Sequence, residues 1–279
     1  MNWNIVKGAC LALLPVAGTL KAQEKPNIVV ILADDLASNE ISCYGGKNLK
    51  TPNIDRIAEE GIRFTNNFAS CAMSVPIRAS LYTGLYPARH GSYQNHKISY
   101  SDIKSVTYYL PQAGYRVGRA GKTHTVPKSV FNFEKVPGFE ENCIAVTADY
   151  TVDGIRDFMR QDSPFCLFVC STLSHAPWTC GNKDEFDADK VILPPNCVDN
   201  KGTRELFRRL LAEIRALDNQ VGDVLKTIEE VGKLDNTLVV FLGEQGPQLP
   251  GGKWTCWNYG QSSACLLYTS PSPRDPKTS

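Results

Sequence analysis

The chain has 279 residues, of which 42% are hydrophobic and 21% are charged. This composition is typical of globular proteins and excludes a collagen-like, coiled-coil or wholly disordered chain. Thirty Lys and Arg residues against 29 Asp and Glu residues give a formal net charge of +1. The chain therefore lacks the basic excess of nucleic-acid-binding proteins, and we expect no nucleic-acid partner.

The amino-terminal segment has the pattern of an export signal. Lys7 precedes an apolar run at residues 9–20, which is too short to span a bilayer as a helix, and an imperfect cleavage site ends at Ala22. The pattern predicts a signal peptide at residues 1–22, and hence a bacterial protein that is periplasmic or secreted and has no stable membrane anchor. A buried first helix is the alternative interpretation.

Four strand-like runs and two helical patterns follow. The runs lie at residues 27–33, 116–120, 165–171 and 237–242. Three of them are continuously apolar, as in strands that are buried on both faces of a parallel sheet. Apolar residues recur at helical spacing in residues 52–60 and 204–231. Strands that alternate with helices predict an α/β domain with a mostly parallel or mixed central sheet, flanked by helices on both faces.

Each of the four runs is followed at once by ionisable or amide side chains. These are Asp34 and Asp35, then Lys122 and His124, then His175, and finally Glu244 and Gln245. Ligands of open α/β sheets bind beyond the carboxyl ends of the strands. The pattern therefore predicts a single crevice that collects carboxylates, a lysine and two histidines.

The candidate residues form two chemical sets. The first set offers only oxygen ligands, which favour Ca²⁺ or Mg²⁺ over zinc. It consists of Asp34, Asp35, Glu244 and Gln245. The second set is cationic or can become so, and it suits a tetrahedral oxyanion. It consists of Arg78, Lys122, His124, His175 and Lys253. Taken singly, such residues have plainer explanations: Asp35 as a helix cap, or Lys253 as a solvated surface group.

One longer segment points to a family. Residues 74–84 read SVPIRASLYTG, which resembles the sulfatase signature of Cys or Ser, any residue, Pro, any residue and Arg, followed by small residues up to Thr-Gly. A helix that begins near Ser74 is the structural alternative, and it is compatible with the motif. The resemblance implies that Ser74 is oxidised to formylglycine, and that this serine-type protein needs a radical-type maturating enzyme. Cys71 is out of register with the motif.

The resemblance extends over residues 25–264 and implies the alkaline-phosphatase-like fold of sulfatases. It implies that Asp34, Asp35 and Ser74 contact a divalent metal, with Ca²⁺ preferred to Mg²⁺. It also implies that Arg78 helps the metal to hold the hydrated aldehyde. The other members of the second set, Lys122, His124, His175 and Lys253, then hold the sulfate and the leaving group. Glu244 and Gln245 depart from the common Asp-Asn or Asp-His pair of the family, yet they keep carboxylate and amide oxygens as metal ligands.

The activity that the resemblance implies is hydrolysis of sulfate from a sulfated sugar or polysaccharide. In that reaction the hydrated aldehyde attacks sulfur, cations neutralise the sulfate oxygens, and His124 or Lys253 protonates the departing alcohol. A phosphoester or phosphonate hydrolase of the same superfamily is one alternative. An inactive truncated fragment is another.

The carboxyl-terminal residues differ from the rest. Residues 265–279, CLLYTSPSPRDPKTS, resemble the translated read-through of a library adapter. We therefore expect residues 25–264 to be an incomplete catalytic domain and residues 265–279 to be a non-native, adapter-derived tail, which we leave out of the fold prediction. We also expect the smaller C-terminal subdomain of the family to be missing. A natural Pro/Ser-rich tail is the alternative.

Overall fold

A computed structural model describes residues 25–269 of the protein. The predicted signal peptide at residues 1–22, and residues 270–279 of the predicted tail, lie outside the described residues. The strands are β1 (Asn27–Ala33), β2 (Ile62–Arg63), β3 (Arg116–Gly121), β4 (Glu134–Val136), β5 (Phe165–Cys170), β6 (Thr237–Gly243) and β7 (Cys265–Tyr268). The helices are α1 (Pro52–Glu59), α2 (Ser74–Thr83), α3 (Pro87–His90), α4 (Val106–Gln112), α5 (Asp153–Met159), α6 (Lys201–Glu230) and α7 (Asn258–Gln261).

The strands form one seven-stranded sheet in the order β2-β7-β6-β1-β5-β3-β4. The five strands from β6 to β4 are parallel, with Val29 of β1 facing Leu167 of β5 on one side and Val239 of β6 on the other. β7 pairs antiparallel with both β6 and β2. The sheet is therefore mixed, and its central strands are parallel.

Alternating side chains of β1 divide the core into two layers. Val29 and Ile31 belong to the larger hydrophobic cluster, with residues of α1, α5 and α6. Val30 and Leu32 belong to the smaller cluster, with residues of α2 and α4. Because a strand points successive side chains to opposite faces, helices cover both faces of the sheet. The predicted fold class is confirmed.

The first residues of the predicted tail form β7 and belong to the sheet. Leu266 of β7 is fully buried, and Phe241 of β6 lies beside it in the ladder. The apolar side chains of this segment fit an edge of the sheet that β6 leaves open, so the segment pairs there. The origin of the tail stays a prediction.

The described residues contain one long helix, α6, whose apolar stripe packs against the sheet. It begins at Lys201, three residues before the predicted start at residue 204. Asn200 is its N-cap, because the Asn200 side-chain oxygen accepts a hydrogen bond from the Thr203 N–H. Within residues 25–269, no helix is both long and apolar enough to cross a membrane.

Candidate active site

The strand order brings the predicted site residues together. β6, β1, β5 and β3 are consecutive parallel strands, so their carboxyl ends lie along one edge of the sheet. The four polar segments that follow these strands consequently meet at this edge, as the sequence predicts. The first two turns of α2 supply Ser74 and Arg78 to the same place, and both are fully buried.

Ser74 lies at the centre of the group. Met73 is the N-cap of α2, so Ser74 is its first helical residue. The Ser74 hydroxyl donates a hydrogen bond to Oε2 of Glu244 at 3.2 Å. The Ser74 Oγ also accepts hydrogen bonds from Nζ of Lys122 and from Nε2 of Gln245, each at 3.4 Å. A substrate that reaches Ser74 therefore meets a carboxylate, an amide and an ammonium at once.

Two buried cations are paired with two buried carboxylates beside Ser74. Nε of Arg78 donates to Oε1 of Glu244 at 2.8 Å, and its Nη2 lies 3.6 Å from Oδ1 of Asp34. Nζ of Lys122 lies 2.5 Å from Oδ2 of Asp34. All four side chains are almost completely buried, so each charge is stabilised by its ion-pair partner because water cannot solvate it.

Asp35 joins three more of the predicted residues to the network, namely Gln245, Lys253 and His175. Its Oδ2 accepts from Nζ of Lys253 at 2.7 Å, and its Oδ1 accepts from the side-chain amide of Gln245. Nζ of Lys253 also lies 2.9 Å from Nε2 of His175. Lys253 is only 5% exposed, so it is not a solvated surface lysine. The helix-cap alternative for Asp35 fails too, because both oxygens bind these side chains.

The oxygen set fits a hard cation. Oxygens of Asp34, Asp35 and Glu244 lie within 4.8 Å of one another. Among the buried side-chain atoms in the described part of the chain, Oδ1 of Asp34 and Oε1 of Gln245 have no hydrogen-bond partner. Such oxygens are costly to bury unless something binds them. Carboxylate and amide oxygens are ligands that Ca²⁺ and Mg²⁺ accept.

The pKa values of the three carboxyl groups in this site are shifted from their usual range. Burial raises the pKa of Glu244 to about 8, although the Arg78 charge opposes it. Burial and the neighbouring Asp34 charge raise the pKa of Asp35. Burial also acts to raise the pKa of Asp34, but the Lys122 ammonium, the hydrogen bond with Glu244 and the Arg78 charge together outweigh burial and hold that pKa well below its usual range. A bound cation would favour the ionised form of all three carboxyl groups.

His124 lies beside the network without hydrogen bonds to the other site residues. Its Nδ1 is buried and has no partner among the described residues, and its ring lies 5.1 Å from the ring of His96. Burial, followed by the charges of Lys122 and Arg78, lowers the pKa of His124 to about 3. The imidazole is therefore neutral near pH 7.

The structure adds two residues that sequence reasoning missed. Cys143 places its sulfur within 4.8 Å of ligand atoms of Asp34 and His175, and every cysteine in residues 25–269 is a free thiol. Nothing in the sequence around Cys143 marks it. Glu213 of α6 accepts the backbone N–H groups of Thr179 and Cys180 at 2.8 and 3.1 Å, which holds the segment after His175. A carboxylate within an apolar helical stripe was the available signal.

Comparisons with known proteins agree with this geometry. The model of the family described as Sulfatase matches residues 26–278. An ulvan-active sulfatase of Formosa agariphila is 34% identical over 247 residues, which cover 85% of this chain and 47% of that protein. An N-acetylglucosamine-6-O-sulfatase of Bacteroides thetaiotaomicron is 25% identical, and the aligned region covers 85% of this chain and 61% of that protein. The chain thus spans about half the length of the curated relatives it matches.

A solved structure shows the same fold. The phosphonate monoester hydrolase of Agrobacterium radiobacter superposes with a TM-score of 0.74 at 18% identity, covering 88% of this chain and 68% of that one. At this level of identity the similarity concerns the fold alone.

Proposed function

The chain belongs to the sulfatase family, and from that premise we propose that it is a sulfuric ester hydrolase that removes sulfate from a sulfated sugar or polysaccharide. The observation that carries the proposal is the position of Ser74. The signature residue is fully buried at the point where Glu244, Gln245 and Lys122 meet, among residues that lie far from it in the sequence.

The charges of the site suit an anionic substrate once a cation is bound. Asp34, Asp35 and Glu244 are balanced by three buried cations, which are Arg78, Lys122 and Lys253. A divalent cation then leaves a net positive site, which attracts a sulfate ester. We propose Ca²⁺, held by Asp34, Asp35, Glu244, Gln245 and the Ser74 position, because these groups are all hard oxygen ligands. The cation would act as a Lewis acid toward the sulfate oxygens.

Each remaining residue has a role in the proposed reaction. Ser74, after oxidation to formylglycine, supplies the nucleophile as a hydrated aldehyde. Arg78 fixes Glu244 through a short ion pair and thereby orients the groups around Ser74. Lys122, His175 and Lys253 would hold the sulfate oxygens as charge develops on them. Lys253 and His124 are the candidates that protonate the departing alcohol.

The oxidation at Ser74 implies a partner. A serine-type signature points to a radical-type maturating enzyme, which acts on the chain before turnover is possible. We further propose that the protein is periplasmic or secreted, since its amino-terminal residues have the pattern of an export signal. Sulfated carbohydrates of the kinds named for the relatives, ulvan and N-acetylglucosamine 6-sulfate, are the first substrates to test.

The experiment compares the protein expressed with and without such a maturating enzyme. We expect the peptide that contains Ser74 to carry the aldehyde mass only after coexpression. In the presence of Ca²⁺, only that preparation should release sulfate from the saccharides or from an aryl sulfate. Ser74→Ala serves as the matched control, because it removes the oxidisable group and leaves the fold of α2 intact.

Two results would contradict the proposal. One is a fully modified protein that releases no sulfate from any of these esters. The other is faster release of phosphate from the matched aryl phosphate than of sulfate from the aryl sulfate, which would favour a phosphoester or phosphonate hydrolase.

A further inference from the structure

Four residues other than glycine have left-handed backbone in the described part of the chain. They are Asp35, His96, His124 and Trp254, with φ of 51°, 63°, 44° and 65°. Such conformations cost about 1–3 kcal/mol each and tend to cluster at functional sites. Asp35 and His124 are candidate site residues. His96 and Trp254 have no role in the proposed chemistry, so their strain needs another explanation.

His96 is held against the site by the loop that carries it. Its ring centroid lies 5.1 Å from that of His124, with the ring planes inclined at 60°. The preceding residue, Asn95, accepts the backbone N–H of Val75 at 3.1 Å, which ties the loop to the first turn of α2. The side chain of His96 is nevertheless exposed. An exposed ring thus stands next to His124, a half-buried candidate for protonation of the leaving group.

Trp254 repeats this arrangement beside the other candidate. Nζ of Lys253 lies 5.3 Å from the centre of the Trp254 ring. The backbone N–H of Trp254 donates to the carbonyl of Ala72 at 2.8 Å, which fixes the residue to the segment that precedes Ser74. Trp254 is 57% exposed, although large aromatic residues usually bury most of their surface.

We propose that His96 and Trp254 contact the sugar that carries the sulfate. The inference rests on the proposed function, because a sulfate ester held at Ser74 must direct its alcohol part toward His124 and Lys253. Each of these residues has one exposed ring beside it, so the two rings are the surfaces that the sugar meets. An indole offers a flat apolar face to the C–H groups of a sugar, and an imidazole can hydrogen-bond a hydroxyl or a second sulfate.

The test separates contact with the sugar from support of the anion site. His96→Ala and Trp254→Ala should each raise KM for the sulfated saccharide roughly fivefold to tenfold. The inhibition constant of inorganic sulfate should change by less than roughly twofold, because free sulfate carries no sugar. Trp254→Phe should restore part of the affinity, since it keeps an aromatic face. Tyr109→Ala is the control: it removes an exposed ring from α4.

Calorimetry with unmodified Ser74 gives a second readout that does not need turnover. The wild-type chain should bind the sulfated saccharides more tightly than His96→Ala or Trp254→Ala does. If the wild type binds them but the fully modified protein cleaves none, the proposed function fails while the inference stands. The inference is overturned if both variants keep wild-type affinity, if the wild type binds no sulfated saccharide, or if inorganic sulfate loses affinity to the same extent as the saccharide.

Discussion

Lys253 and His124 differ in their ability to give a proton to the leaving group. His124 has a pKa of about 3, because burial and two neighbouring cations disfavour the imidazolium form, so near pH 7 the ring is neutral. Lys253 carries its ammonium between Asp35 and His175 at hydrogen-bond distance. The geometry therefore favours Lys253 as the proton donor and His124 as a neutral hydrogen-bonding group.

Lys253→Ala is expected to lower kcat for a saccharide sulfate on the order of 10²-fold to 10⁴-fold. The loss should be much smaller for a nitrophenyl sulfate, whose leaving group needs no proton. His124→Ala should affect the two substrates more equally. The measurement is kcat/KM for both esters with each variant. If Lys253→Ala lowers kcat/KM equally for both esters, another group donates the proton.

Asp34→Asn should weaken cation binding, because Asp34 supplies a buried oxygen without a hydrogen bond. A ligand that binds the folded state at 100 times its Kd stabilises it by about 2.7 kcal/mol. We therefore expect Ca²⁺ to raise the Tm of the wild-type chain and to raise that of Asp34→Asn clearly less. Thermal unfolding with added Ca²⁺ and after chelation measures the effect. Asp102→Asn, an exposed carboxylate, is the control; equal responses in both variants would remove Asp34 from the cation site.

At the level of elements, the turn after β1 contains a buried acid, Glu40, that lies outside the candidate site. Glu40 ends the 3₁₀ turn Ser38–Glu40 and is 5% exposed. The hydroxyl of Tyr259 in α7 donates to its Oε1 at 3.2 Å. Burial raises the pKa of Glu40 from 4.5 to about 7, against the opposing effect of the Tyr259 hydrogen bond. The contact between the turn and α7 is therefore sensitive to pH.

The raised pKa predicts a loss of stability with rising pH. Between about pH 4.5 and 7 the folded state keeps a proton that the unfolded chain has released, so the contribution of Glu40 to the free energy of unfolding falls across this window and stays constant above it. Glu40→Gln should be more stable relative to wild type at pH 8 than at pH 4, by on the order of 2–3 kcal/mol.

Urea unfolding at the two pH values measures this difference. Glu59→Gln, which removes an exposed negative charge from α1, controls for the loss of net charge. A Glu40→Gln variant whose difference from wild type is the same at both pH values would show that Glu40 titrates normally.

At the scale of the whole molecule, β7 extends the parallel part of the sheet on the side of β6. This strand lies between β6 and β2 and joins the last described residues to the segment after α1. Tyr44 adds a further tie, since its hydroxyl donates to the carbonyl of Cys265 and accepts from its N–H. Residues 265–268 thereby cover an edge that β6 would otherwise present to solvent.

Leu266→Ala tests whether this strand belongs to the cooperative fold. The side chain is fully buried, so its truncation should lower the free energy of unfolding by about 2–5 kcal/mol. Leu267→Ala, at the half-buried neighbouring position, should cost clearly less. Urea unfolding of both variants is the measurement. Equal small losses would mean that the edge strand contributes little to stability.

The α/β class and most residues of the candidate site could be predicted from the sequence alone. Apolar runs buried on both faces specify parallel strands, and the residues that directly follow such strands reach one edge of the sheet whatever the details of packing. For this reason Asp34, Lys122, His175 and Glu244 could be assigned from their positions alone.

How these residues pair with one another depends on the three-dimensional arrangement of the strands. Gln245 and Asp35 are 210 positions apart and Lys122 and Asp34 are 88 apart, and their contacts depend on strand order, which no local pattern specifies. The same holds for His96, which reaches His124 through a loop anchored by one side-chain hydrogen bond. It also holds for β7, whose apolar residues became a strand because the edge of β6 was open to pair with them.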